Sequence, residues 1–104
     1  MRSLRVLVGL TLLGTLAPAL PALAADGKAV WTAHCQFCHG PDGRGQTAAG
    51  KALGVPALTH PASLSMITTT IKKGEGHMPK LGNQLSADEI AAVAKYTQQL
   101  MAGK

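Results

Sequence analysis

Apolar residues recur at helical intervals in three stretches of this chain, and no stretch reads as a strand followed by a helix. The last pattern is the clearest. Ile90, Val93, Ala94, Thr97 and Leu100 share one face, Tyr96 joins the same side, and Ser86 with Glu89 forms an S-x-x-E capping box ahead of them. This predicts a helix from Ser86 to near Met101, with Gly103 beyond it. Upstream, Leu64, Met66, Ile67 and Ile71 predict a helix over Ala62 to Lys73 that Gly74 ends, although Thr68, Thr69 and Thr70 are poor helix formers. A first helix is expected from about Gly27 to Gln36, with Asp26 as its N-cap and Val30, Trp31 and Ala33 on a mixed apolar face.

Gly40-Pro41-Asp42-Gly43-Arg44-Gly45 stops that first helix with strong turn chemistry, and a loop follows to about Pro61. Gly74-Glu75-Gly76-His77-Met78-Pro79 cannot be regular helix and reads as a second loop. The expected architecture is all-α, with three to four helices and no internal repeat or second domain.

The N-terminal apolar run changes this picture, because it does not belong to the fold. Arg2 and Arg5 make a basic start, Val6 to Ala17 is apolar apart from Gly and Thr, and Ala22-Leu23-Ala24 supplies a small-x-small cleavage pattern. Twelve residues fall well short of the roughly 20 that span a bilayer. Residues 1–24 therefore read as a cleaved secretory signal peptide rather than a stable membrane anchor, and residues 25–104 as one exported, periplasmic domain.

So short a domain, with Trp31, Phe37 and Tyr96 as its only aromatic residues, buries little surface and usually requires a staple. The formal charge of the whole chain is +5, and Arg2 and Arg5 leave with the leader. The remaining lysines are spread along an exported chain, which argues against nucleic acid and for a weakly basic docking face.

Cys35-Gln36-Phe37-Cys38-His39 supplies the staple. Two thiols in C-x-x-C spacing with histidine directly after form the haem c attachment signature. On one helical turn each thiol can form a thioether to a former vinyl group, while His39 is carried beneath the ring to bind iron. A zinc site would have to recruit scattered histidines, since these are the only cysteines; a redox dithiol normally follows a strand in a βαβ unit. Haem would act as the core that the sequence lacks, so the unhaemed chain is expected to be largely disordered. The thiols are consumed, and no structural disulfide is expected.

The second axial ligand is expected to be Met78, a soft thioether in a Gly-flanked loop whose backbone Pro79 holds away from the α region. Competing candidates are His77, which would give a bis-His haem of lower potential, Met66, which reads as packing against porphyrin or core, and Met101, at a fraying terminus. His34 and His60 read as surface residues.

These residues together resemble the small single-haem class I c-type cytochromes of bacteria over essentially all of residues 25–104. Gly27, Trp31 and Cys35 reproduce the spacing of that family's first helix, with Trp31 in place of the commoner Phe or Tyr. Val93 and Tyr96 match its last helix, and Gly76-x-Met78-Pro79 looks like its methionine loop. The resemblance implies the small cytochrome c fold around one covalent haem, with crossed N- and C-terminal helices and Tyr96 resting on the bare backbone of Gly27. It further implies that the carbonyl of Pro56 accepts the Nδ1 proton of the proximal histidine. No propionate-binding set can be matched, and Arg44 is the one residue offered for it.

The function expected from this reading is electron transfer without catalysis, by a monomer that docks transiently with redox partners. Lys51, Lys72, Lys73 and Lys80 either ring the exposed haem edge and steer an acidic partner or are simply solvated. Two alternatives stay open: an electron-entry subunit of a periplasmic oxidoreductase, and a gas-binding haem protein with a labile sixth ligand.

Overall fold

The computed structural model describes residues 25–103, so the expected leader lies outside the described residues. Among these residues five helices follow one another: α1 (Gly27–His34), α2 (Gln36–His39), α3 (Ala48–Leu53), α4 (Leu64–Lys73) and α5 (Ala87–Ala102). Among the described residues the only β feature is an isolated bridge between Glu75 and Met78, and no helix is long and apolar enough to cross a membrane.

Local chemistry accounts for the starts. The Asp26 carboxylate accepts from the N–H groups of Lys28 and Ala29 at α1, Ser63 caps α4 through Met66, and Ser86 and Glu89 complete the expected capping box at α5. The ends depart from expectation in two places. The first helix is not continuous to Gln36: it turns at Cys35, whose N–H donates to the Trp31 carbonyl, and restarts as α2. The stretch expected to be loop contains α3, capped by Thr47 at its start and by Gly54 in the left-handed region at its end.

The core lies where α1 and α4 pack against α5. Val30 and Trp31 from α1, Ile67 and Ile71 from α4, and Ile90, Val93, Ala94 and Met101 from α5 are buried there, joined by Leu81 and Leu85 from the connecting loop. The expected crossing of the terminal helices is present, and Gly27 makes it possible: a Cβ there would run into the Ala92 carbonyl and stand 2.9 Å from Tyr96 Cβ. Met101, expected on a fraying end, is instead 8% exposed in the core, because α5 continues past it to Ala102.

Candidate functional site

Cys35, Cys38 and His39 line one cavity of about 750 Å³. A single turn delivers them: the Cys35 carbonyl accepts from His39 N at 2.9 Å, so the three side chains follow each other from the N-cap of α2 round its one turn. The chain then leaves through Gly40 at φ 79°, and the His39 carbonyl accepts from Gly45 N at 2.8 Å.

Thr47 and α3 buttress this turn from outside. The Thr47 hydroxyl donates to the carbonyls of Phe37 (2.7 Å) and Cys38 (3.2 Å) while accepting from Gly50 N at 2.9 Å. Gly50 itself has no room for a side chain, since a Cβ there would collide with the Cys38 carbonyl and lie 2.6 Å from Gly45 O. Sequence reading missed both residues; a threonine three positions before a glycine in a short Ala-rich run was the available signal.

Met78 reaches the same cavity from a distant stretch of chain. Its N–H donates to Glu75 O at 2.8 Å and its carbonyl accepts from Glu75 N at 3.3 Å, closing a tight loop. Leu81 N and Gly82 N then donate to Ile71 O (3.0 Å) and Lys72 O (3.3 Å), which tethers the loop to the end of α4. The Met78 side chain is half-buried against the core, whereas that of His77 is exposed. Met66, expected to pack on porphyrin or core, lines the cavity but is 64% exposed.

Most of the cavity wall is apolar, with Leu58, Ile67, Ile71, Leu81 and Met101 among its residues. Burial in that setting pushes the Cys35 thiol up to about 11 and holds the His39 imidazolium below its ordinary range. His39 Nδ1 is buried without a hydrogen-bond partner. Pro56 lines the cavity, yet the bond expected from Nδ1 to its carbonyl is not formed. Arg44 does not reach the cavity and pairs with Asp42 at 3.6 Å on the surface. His34 and His60 are exposed, as the sequence suggests, and His34 stands at the cavity's edge.

Two free thiols, an imidazole that burial keeps neutral and a thioether, all around an apolar cavity, form a donor set that fits haem c. Residues 22–96 match the family model described as Cytochrome C oxidase, cbb3-type, subunit III. A cytochrome c6 of Rippkaea orientalis is 40% identical over 88 residues, covering 76% of this chain and 72% of that protein. The chain is a small class I c-type cytochrome. Its cofactor is accordingly haem c, and it belongs to electron transport. The cytochrome is also 32% identical over 89 residues to the cbb3-type cytochrome c oxidase subunit CcoP of Azospirillum brasilense, covering 80% of itself but 30% of that larger protein. Among solved structures, the KustC0563 c-type cytochrome superposes with a TM-score of 0.65 at 26% identity, covering 72% of this chain and 96% of its own. The all-α cytochrome c fold expected from the sequence is thereby shown.

Proposed function

We propose that the cytochrome is an exported electron carrier that holds its haem through Cys35 and Cys38, ligates the iron with His39 and Met78, and passes electrons between partners by brief docking. The observation that carries this reading is the meeting of all four side chains on one apolar cavity, although they come from separately tethered stretches. Haem c supplies a ferrous–ferric couple there.

What the chain contributes is rigidity and environment. His39 stands on a turn fixed by the Cys35 and Gly45 bonds, and Met78 on a loop closed by Glu75, so neither donor has to move when the charge changes. A thioether raises the potential relative to a second imidazole, and the apolar wall raises it further by disfavouring added charge. Pro56, beside the cavity, is the residue offered to accept the proton of His39 Nδ1. Lys51, Lys72, Lys73 and Lys80 are all exposed, and among the described residues none of them forms an ion pair, which suits a weakly basic surface for an acidic partner. Residues 1–24 would direct the chain to the periplasm as a cleaved leader, leaving a non-enzymatic monomer.

An optical spectrum with redox titration of the purified exported protein tests this. The expected result is low-spin iron with a methionine-to-iron charge-transfer band in the far red and a single one-electron wave. High-spin iron that takes up carbon monoxide readily would replace the carrier by a gas-binding protein. The matches to the cbb3 subunit III model and to CcoP favour a second reading, an electron-entry subunit of a larger oxidoreductase. Stable co-purification with such a complex would establish it.

A further inference from the structure

Thr97 breaks the apolar pattern of the cavity wall. It stands on α5 one turn after Val93 and one turn before Met101, so the three lie along one face. Thr97 is 7% exposed and lines the cavity together with Met101, Ile67, Ile71 and Leu81. Among the described residues no other buried side chain carries an oxygen. His34, Glu75 and His77 also border the cavity, but all three are exposed, and Thr70 is half-buried. The indole N–H of Trp31, a buried donor on the same wall, is already donated to the Gly40 carbonyl at 3.0 Å.

The Thr97 hydroxyl donates to the Val93 carbonyl at 2.7 Å. A carbonyl inside a helix accepts from the main-chain N–H four residues on, here that of Thr97 itself, so α5 has no need of the second donor. Back-bonding of this kind adds little to helix stability and can detract from it. What it does fix is direction. With the proton held by the backbone of α5, the oxygen presents its lone pairs away from that backbone. A hydroxyl among aliphatic side chains is a dipole in a weakly screening medium, where it acts on a nearby charge more strongly than it would in water.

We propose that Thr97 tunes the haem, lowering its reduction midpoint by turning the negative end of a buried hydroxyl dipole toward the cavity. This rests on haem c filling that cavity. Oxidation of the iron adds one positive charge, which the oxygen stabilises and a methyl group in its place does not. The aliphatic wall raises the midpoint, and Thr97 offsets part of that rise.

The test compares midpoints and melting temperatures of three holoproteins. Thr97→Val replaces the hydroxyl by a methyl group of similar size. It is expected to raise the midpoint while the melting temperature holds or rises, since the lost back-bond contributes little. Thr97→Ser keeps the hydroxyl and loses a buried methyl, so it is expected to melt earlier and to retain the parent's midpoint. A Val variant whose midpoint is unmoved or lowered overturns the proposal, and so does a Ser variant whose midpoint rises as far as that of Val. If either variant yields no holoprotein, NMR of the parent decides. Nuclear Overhauser contacts between Thr97 and the haem substituents, with a hydroxyl proton slow to exchange, support the proposal, and the absence of either overturns it. A parent without covalent haem by mass spectrometry would instead overturn the cofactor reading, independently of Thr97.

Discussion

Gly27 and Tyr96 touch where α1 crosses α5, with 2.9 Å between the Tyr96 Cβ and the place a Gly27 side chain would begin. The Ala92 carbonyl blocks the same space. Gly27→Ala must therefore push two main chains apart, and overpacking of this kind costs about 1–3 kcal/mol. Denaturant unfolding of the holoprotein measures it. A variant within about 0.5 kcal/mol of the parent, the range of neutral surface changes, would show that the crossing yields easily.

Thr47 joins three backbone groups through one hydroxyl. Thr47→Val keeps the shape and removes the oxygen, leaving the Phe37 and Cys38 carbonyls without that donor and α3 without its cap. The expected loss is about 1–2 kcal/mol, in the range of a lost cap with a strong hydrogen bond. Amide exchange should accelerate at Gly50, and unchanged protection there would contradict the role.

Met78→Ala should leave the haem covalently attached, abolish the far-red charge-transfer band and lower the midpoint. Mass spectrometry and the optical spectrum check the two halves separately. An unchanged spectrum would mean that another residue binds the iron, and His77, its exposed neighbour, would be the first to replace.

Glu89 sets a pH dependence. Its carboxylate is held below the ordinary value of 4.5, chiefly by the Ser86 backbone N–H and then by the Ser86 side chain. A carboxyl with a depressed folded value adds stability that is fully present above its unfolded value and disappears as the pH falls through the folded one. Glu89→Gln cannot titrate. The stability gap between parent and variant should thus be widest above pH 4.5 and close below it. Urea midpoints from neutral to acid pH decide, and a gap of constant size would refute the coupling.

What the sequence could disclose was whatever depended on neighbours in the chain. The α5 capping box, the Asp26 cap and the stop at Gly74 are local, and each appears where the residues suggested. Helix α3 was hidden because Ala48, Ala49, Gly50 and Ala52 carry no amphipathic signal; what it packs on is the Cys38 carbonyl, which Gly50 approaches too closely for a side chain. Met101 was misjudged for a similar reason, since a residue near a terminus is buried or free according to what packs over it. That Cys35, Cys38 and His39 would lie together was legible from their spacing, and all three line one cavity. The indole N–H bond to Gly40 was not legible, because a bond across nine residues through a turn has no signature in residue order.

The Met78 loop is tied by main-chain bonds to itself and to the end of α4, and among the described residues no hydrogen bond joins it to the segment 35–40. On the proposed reading, the sulfur donor and the two cysteines thus ride on segments that meet through side-chain packing in a shared core and not through main-chain bonds. Grafting a different loop between Gly74 and Leu81, with the packing of Leu81 kept, is therefore expected to yield new midpoints in a scaffold that still captures haem.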